Sequence, residues 1–397
     1  MKIMSAPGRH TVGGSAAAHA EPRAGSPAAD AGEHAVKLLT AHMELELEGA
    51  KAVLSENGDF TVIGVLGSQG AGKSTLMSLL AGAGWARPRP DGAHGADASE
   101  GAGSDELHAP PFAAQSVNAG VRGTHQTEGV DMRVTADRLI LLDTQPLFAP
   151  SVMLSLSQSA DLPTEAQSFE NLHELHSLRM ALLLLSVCHL VVFVDDVSSR
   201  FDTRWLRTLR TVFSLRHGLV DPSTVPATER TAERGATERA GAPGRAASSA
   251  ASTAADPPTT PADPPHEYTP HLAFVFTRSQ ISDYAACHVD SVRESLTRLL
   301  ASESIGRPRG RPESSPTPHV YHLPSRDARS VASQHLGYRT ESERLRDALL
   351  ATPRRPFARP MSEREWLRAV GRVWEGLRKW PPLFDYNRTA QKMHLYL

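Results

Sequence analysis

The chain has 397 residues and a formal net charge of -2, room for two or three ordinary domains. Pro and Gly number 29 each and aromatics make up only 6%, so core-forming material is thin, and one sizeable domain, a smaller helical part and much disorder are predicted. The near-neutral charge gives no electrostatic case for nucleic acid or an anionic membrane. No apolar run reaches the about 18 residues of a membrane span, because His189 interrupts Met180–Val194, and no charged-then-apolar leader opens the chain. A cytoplasmic protein is the expectation. Cys188 and Cys287 follow no metal-ligand spacing and read as buried small hydrophobes in a reducing compartment.

Residues 1–32 lack periodicity and are expected to be a disordered tail. Glu33–Asn57 reads as a helix, since Val36, Leu39, Met43, Leu47 and Leu54 form an apolar stripe. The β-branched run ending at Gly67 predicts a strand, and Thr75–Leu80 a helix. A low-complexity stretch over about 84–120 reads as a disordered insertion. Val130–Val134 and Arg138–Asp143 read as a hairpin. Ser168–Ser186 and Arg200–Arg216 read as helices on either side of the strand His189–Asp195. A second disordered insertion is expected over 221–266, too long for an ordered connection. Strands at His271–Thr277 and His319–Leu323 then flank a helix at Asp290–Ala301. Strands alternating with helices predict one α/β domain over 33–340, a mostly parallel sheet covered by helices. A helical segment over 341–397 follows, with helices at Glu341–Leu350 and Ser362–Lys379. The second opens on the capping box Ser362-x-x-Glu365. Its stripe carries Trp366 and Trp374, which suit either the domain's own core or a partner surface.

The chemistry centres on Gly67-Ser68-Gln69-Gly70-Ala71-Gly72-Lys73-Ser74-Thr75, a phosphate-binding loop between a strand and a helix. Its glycines let the backbone aim successive N–H groups at a phosphate, and the helix adds its positive end. Lys73, expected on the surface, would neutralise the β/γ oxygens, and Ser74 would ligate Mg²⁺. Thr127, in Thr127-x-Gly129-Val130, resembles the Thr-x-Gly-Ile motif of guanylate-binding-protein and atlastin-like GTPases; Thr124 is its rival. Asp143 ends an apolar strand where a carboxylate would hold the Mg²⁺ shell. Ser74, Thr127 and Asp143 are therefore the candidate metal residues.

The neighbouring positions depart from a switch GTPase. Such enzymes read Asp-x-x-Gly after this strand, and the Gly N–H grips the γ-phosphate; here the residue is Pro146, which has no N–H. Leu147 follows where a water-orienting Gln often stands, while Gln145 could bond phosphate or water. After the strand ending at Phe276, a base-reading Asn/Thr-Lys-x-Asp is replaced by Thr277-Arg278-Ser279-Gln280. Arg278 can lay its stem over a base, but neutral Gln280 does not select guanine. A purine nucleotide, ATP or GTP/GDP, with Mg²⁺ is the expected cofactor, its base open. His173 and His176 share a helix with no third ligand, which reads as a solvated face.

Together the phosphate loop, Leu142-Asp-Thr-Gln-Pro146, Cys188-His-Leu-Val-Val192, Val373-Trp-Glu-Gly-Leu-Arg378 and Tyr386-Asn-Arg388 resemble the SMG-nine family of nonsense-mediated mRNA decay factors. That resemblance implies a G-like domain that binds nucleotide with little or no turnover. It also implies a heterodimer with an SMG-eight-like protein and docking on an SMG-one-like kinase. Two other readings stay open: an active dynamin- or atlastin-like GTPase, and a small-molecule kinase with the same loop.

Overall fold

The computed structural model describes residues 35–84, 110–115, 119, 121–159, 162, 163, 166, 168–196, 203–216, 218, 219, 221–224, 268–302, 318–324 and 337–394. The tail expected over 1–32 and most of the two insertions lie outside the described residues. The strands are β1 (Val36–Leu39), β2 (Thr61–Gly67), β3 (Val130–Val134), β4 (Leu139–Thr144), β5 (Leu190–Asp195), β6 (His271–Ser279) and β7 (His319–Pro324). The helices are α1 (Leu47–Val53), α2 (Lys73–Leu80), α3 (Pro150–Ser159), α4 (Phe169–Val187), α5 (Thr203–Leu215), α6 (Ala286–Ser302), α7 (Tyr338–Leu350), α8 (Glu363–Arg378) and α9 (Pro381–His394).

The strands form one sheet in the order β1-β3-β4-β2-β5-β6-β7. From β4 to β7 every pairing is parallel; β3 runs antiparallel to both β4 and β1. Strands β2 and β4 are buried along their whole length and β5 nearly so, as central strands covered on both faces must be. Alternate residues feed two cores. Val62, Leu66, Val191 and Phe193 pack with α4 and α8, while Ile63, Val65, Val192 and Val194 pack with α2 and α7. Helix α4 is apolar all round because the sheet, α3, α8 and α9 enclose it. Its N-terminus is capped by Ser168, whose hydroxyl accepts from Asn171 N at 3.2 Å. At Gly64 a β-carbon would lie 2.7 Å from Leu184 Cδ2, so only glycine lets β2 and α4 approach this closely. On α8, Trp366 and Trp374 are core residues, and the Trp366 indole donates to Val187 O at 2.9 Å.

Four expectations are corrected. The predicted helix Glu33–Asn57 is instead β1, a turn with Met43 at φ 61°, and the short α1. The stripe fits a helix, but pairing Val36–Leu39 with β3 completes the sheet edge, and tertiary pairing overrides local periodicity. The ends of both insertions are ordered. Phe112 is buried over α2, its N–H donating to Ser78 Oγ at 3.2 Å. Asp221 is buried and accepts from Ala358 N at 2.8 Å. His173 and His176 are buried rather than solvated, since α3 and α9 cover that face of α4. Cys188 is buried, but Cys287 is exposed at the first turn of α6. Helix α9 lies within the segment 341–397 expected to be helical, while α3 falls where the sequence predicts no element.

Candidate functional site

The phosphate loop joins β2 to α2 at the carboxyl edge of the parallel strands. Gly70 and Gly72 take φ values of 74° and 94°, open to glycine at no steric cost. At Gly67 a β-carbon would lie 2.1 Å from Val194 O, so the first loop glycine is demanded by the neighbouring strand. Lys73 is buried, 6% exposed, which corrects its expected surface position. Its Nζ donates to Ser68 O at 2.8 Å, laying the side chain across the loop. Burial pulls its pKa down to about 8, against the opposing attraction of Asp143.

The three candidate metal residues meet beneath the loop. Ser74 Oγ donates to Asp143 Oδ2 at 2.6 Å, Thr127 Oγ1 donates to the same oxygen at 3.1 Å, and the two hydroxyls lie 3.2 Å apart. Thr127 comes from the segment before β3, Asp143 from β4 and Ser74 from α2, so three elements converge on one point. Thr124 does not join them: its carbonyl accepts from Gln69 and Gln115, and its hydroxyl bonds Ala119 O. Asp143 is fully buried, and burial raises its pKa to about 6, although the Ser74 hydroxyl, Lys73 and the Thr127 hydroxyl pull the other way. Among the described residues its Oδ1 has no hydrogen-bond partner. An orphaned carboxylate oxygen beside two hydroxyls fits a hard cation such as Mg²⁺. No cluster of three or more His, Cys, Asp or Glu among the described residues could hold a metal alone. Such an ion would therefore complete its shell with phosphate and water oxygens, as Mg²⁺ commonly does.

A cavity of ≈ 270 Å³ opens over this point, lined among others by Gln69, Lys73, Ser74, Thr127, Pro146 and Arg278. Thr277 is not on its wall. The Thr277 hydroxyl bonds Ala71 O at 3.1 Å and lies 3.2 Å from Asp195 O, fastening the loop to the ends of β5 and β6. Arg278, in the left-handed region at φ 57°, pairs with Asp196 at 2.7 Å on the rim. Gln280 caps the turn that follows β6, its N–H donating to Asp283 Oδ2 at 2.7 Å.

The segment after Asp143 is tied down. Gln145 N donates to Gly129 O at 2.8 Å, and Gln145 Oε1 accepts from Gly129 N at 2.7 Å. Its side chain is buried and held at the β3 entry through Oε1, while its Nε2 has no hydrogen-bond partner among the described residues. Leu147 N donates to Gly67 O at 3.1 Å, and the Leu147 side chain is buried in the core. The residue at 146 has no N–H, and the one at 147 spends its own on the loop strand. Sequence reading missed a polar relay on the opposite wall: Ser151 Oγ donates to Gln69 Oε1 at 2.8 Å and lies 3.1 Å from His125 Nδ1. Its members come from three separate segments, so no local pattern announces it.

The family model Smg8_Smg9 matches residues 141–233. The chain is 25% identical over 392 residues to the nonsense-mediated mRNA decay factor SMG9 of Xenopus laevis, spanning 90% of this chain and 67% of that protein. It is 32% identical over 164 residues to protein SMG9 of Drosophila melanogaster, spanning 40% of this chain and 29% of that protein. A bacterial selenocysteine-specific elongation factor of known structure covers 66% of this chain and 25% of its own at 10% identity. The TM-score of that likeness is 0.27.

Proposed function

We infer that this chain, which belongs to the Smg8_Smg9 family, serves nonsense-mediated mRNA decay as a nucleotide-binding regulatory subunit and not as an efficient hydrolase. One observation carries this reading. The Ser74–Thr127–Asp143 cluster under a whole phosphate loop stands beside a segment, 145–147, with no backbone N–H left for a third phosphate. Binding chemistry is intact where the chemistry of a backbone switch is missing. An Mg²⁺–purine nucleotide would sit with its phosphates on 67–75 and the metal on Ser74, Thr127 and, through water, Asp143. The base would lie towards Arg278. Bound nucleotide would brace the loop, the entry to β3 and the end of β6 as one surface. Two partners belong to this reading: an SMG-eight-like protein in a heterodimer, in keeping with a family model that joins Smg8 to Smg9, and an SMG-one-like kinase, which rests on the sequence resemblance alone.

Native mass spectrometry of the freshly purified chain reads the identity and phosphate count of any retained nucleotide. Lys73→Ala is expected to lose that nucleotide, and its retention in the variant would sink the assignment. Single-turnover hydrolysis well above the slow intrinsic rates of switch GTPases, about 10⁻⁴ s⁻¹, would sink the regulatory reading. It would favour the GTPase that Thr127 also suits.

A further inference from the structure

The Ser151–Gln69 relay at the cavity fixes the tautomer of one neutral imidazole, beginning at a backbone carbonyl. Thr124 O can only accept, so the Gln69 atom 3.1 Å from it is the amide nitrogen. Gln69 Oε1 is then an acceptor, and the Ser151 hydroxyl must spend its proton on it at 2.8 Å. Ser151 Oγ has only lone pairs left for His125, 3.1 Å away, so His125 Nδ1 carries the hydrogen. In the neutral form of the ring the lone pair is then on Nε2. His125 lines the phosphate cavity together with Thr127, Pro146 and Lys73, the residue expected to meet the β/γ oxygens. A lone pair facing phosphate oxygens repels them directly but suits a bridging water, which donates to acceptors. The usual place for a water-orienting side chain holds Leu147, buried in the core.

We propose that His125, oriented by Ser151 and Gln69, is the water-holding residue of this site and carries a slow nucleoside-triphosphate hydrolysis. This rests on reading the cavity as a nucleotide site. Water donates one hydrogen to His125 Nε2 and turns its own lone pair to the terminal phosphorus. The oxygen–phosphorus bond forms as the bond to the bridging oxygen breaks. The leaving diphosphate keeps that electron pair beside Lys73, and the water's proton ends on the released phosphate. His125 is a positioning residue here, and nothing beyond water and the triphosphate is consumed.

Full-length chain, stripped of nucleotide, is assayed in single turnover with γ-³²P-labelled ATP and GTP and Mg²⁺, alongside calorimetric binding of ADP and GDP. Wild type is expected to turn over at or below about 10⁻⁴ s⁻¹, and His125→Ala about tenfold slower or more. His125→Gln, which keeps an acceptor, is expected to recover most of the rate, and Ser151→Ala to fall between. Diphosphate affinity should stay within about threefold throughout, because uniform binding is untouched. Turnover in His125→Ala at the wild-type rate, no recovery with His125→Gln, or wild type no faster than a protein-free control overturns the proposal. Failure of every nucleotide to bind overturns the nucleotide site as well, whereas good binding with turnover indifferent to His125 overturns this inference alone.

Discussion

Asp143→Asn separates what this carboxylate costs the fold from what it offers a metal. In the metal-free protein Asp143 is fully buried, and burial lifts its pKa from 3.8 to about 6. A folded-state pKa raised above the unfolded value favours the neutral acid. The associated stability is whole below the unfolded pKa and is lost as pH rises through about 6. At pH 7.5 the full cost therefore applies: roughly two units, or about 3 kcal/mol, of strain in the ionised apo state. Asparagine removes that charge, and its oxygen can still accept from Ser74 and Thr127. Lys73 loses an attractive neighbour, having already been pulled down to about 8 by burial, and this offsets part of the gain. The net expectation is a stabilisation of about 1–2 kcal/mol at pH 7.5, a few degrees in Tm for a domain of this size. Urea and thermal unfolding without Mg²⁺ or nucleotide measure it, and the difference from wild type should shrink towards pH 5, where both side chains are neutral. Nucleotide affinity should meanwhile lose its dependence on Mg²⁺, compared between Mg²⁺ and EDTA. An apo Asp143→Asn protein less stable than wild type at pH 7.5, or one as Mg²⁺-dependent as wild type, refutes the reasoning.

Three further outcomes are expected. Glu363 is buried at the start of α8, where Arg138 Nε donates to it at 2.6 Å and Ser55 N at 2.7 Å. Arg138→Ala leaves that carboxylate with only Ser55, so urea unfolding should show a loss of about 3 kcal/mol, of which adding Glu363→Gln returns at least about 1 kcal/mol; no recovery would refute the account. His189 Nδ1 accepts from Val62 N at 3.0 Å, and burial above all holds its pKa, like that of His173, down to about 4. For a base with a depressed folded pKa, stability is present above the unfolded value near 6.5 and is lost as pH falls towards 4, about 1 kcal/mol each by pH 5.5. Histidine NMR should show both rings neutral at that pH, and a ring titrating near 6.5 would contradict the burial argument. At Gly129, φ is 65° and a β-carbon would lie 1.9 Å from Leu39 O; Gly129→Ala should cost more than about 3 kcal/mol in unfolding experiments, and a cost below about 1 kcal/mol would mean the β1 turn moves freely.

How much could be read from the sequence follows how local each signal is. The phosphate loop and the strand ending at Asp143 carry their meaning in a dozen contiguous residues, and the apolar central strands needed no partner to be recognised. Val36–Leu39 carries a stripe that suits a helix, and only its pairing with Val130–Met132 makes it a strand. Helix α9 opens on Pro381, a residue favoured at the first helical position, so a start signal was available there. Ser151 offered none. It reaches Gln69 across 82 residues and His125 across 26, and nothing in any one segment requires the other two. The same holds for Asp221, which meets Ala358 across 137 residues. Burial of Lys73 was equally invisible, because exposure depends on what the rest of the fold lays over the loop.

The wall contacts also say which parts of the cavity can respond to an occupant. Gly67, Gly129, Gln145 and Leu147 hold one another through three main-chain or amide bonds of 2.7–3.1 Å. To move any of them is to leave buried donors and acceptors unpaired, at about 1–3 kcal/mol for each group. That frame cannot follow a third phosphate cheaply. On the other wall, the first turn of α3 meets the loop and the segment before β3 through the side chains of Ser151, Gln69 and His125. Ser151 and His125 are half-buried and Gln69 borders the cavity, so water or phosphate can replace each bond as it breaks. Any difference between triphosphate and diphosphate states should therefore appear as movement of α3 against the loop, with 145–147 still. Amide exchange compared between ATP-loaded and ADP-loaded protein tests this directly. Protection changing at Leu147 but not across 151–153 would reverse the assignment of rigid and responsive walls.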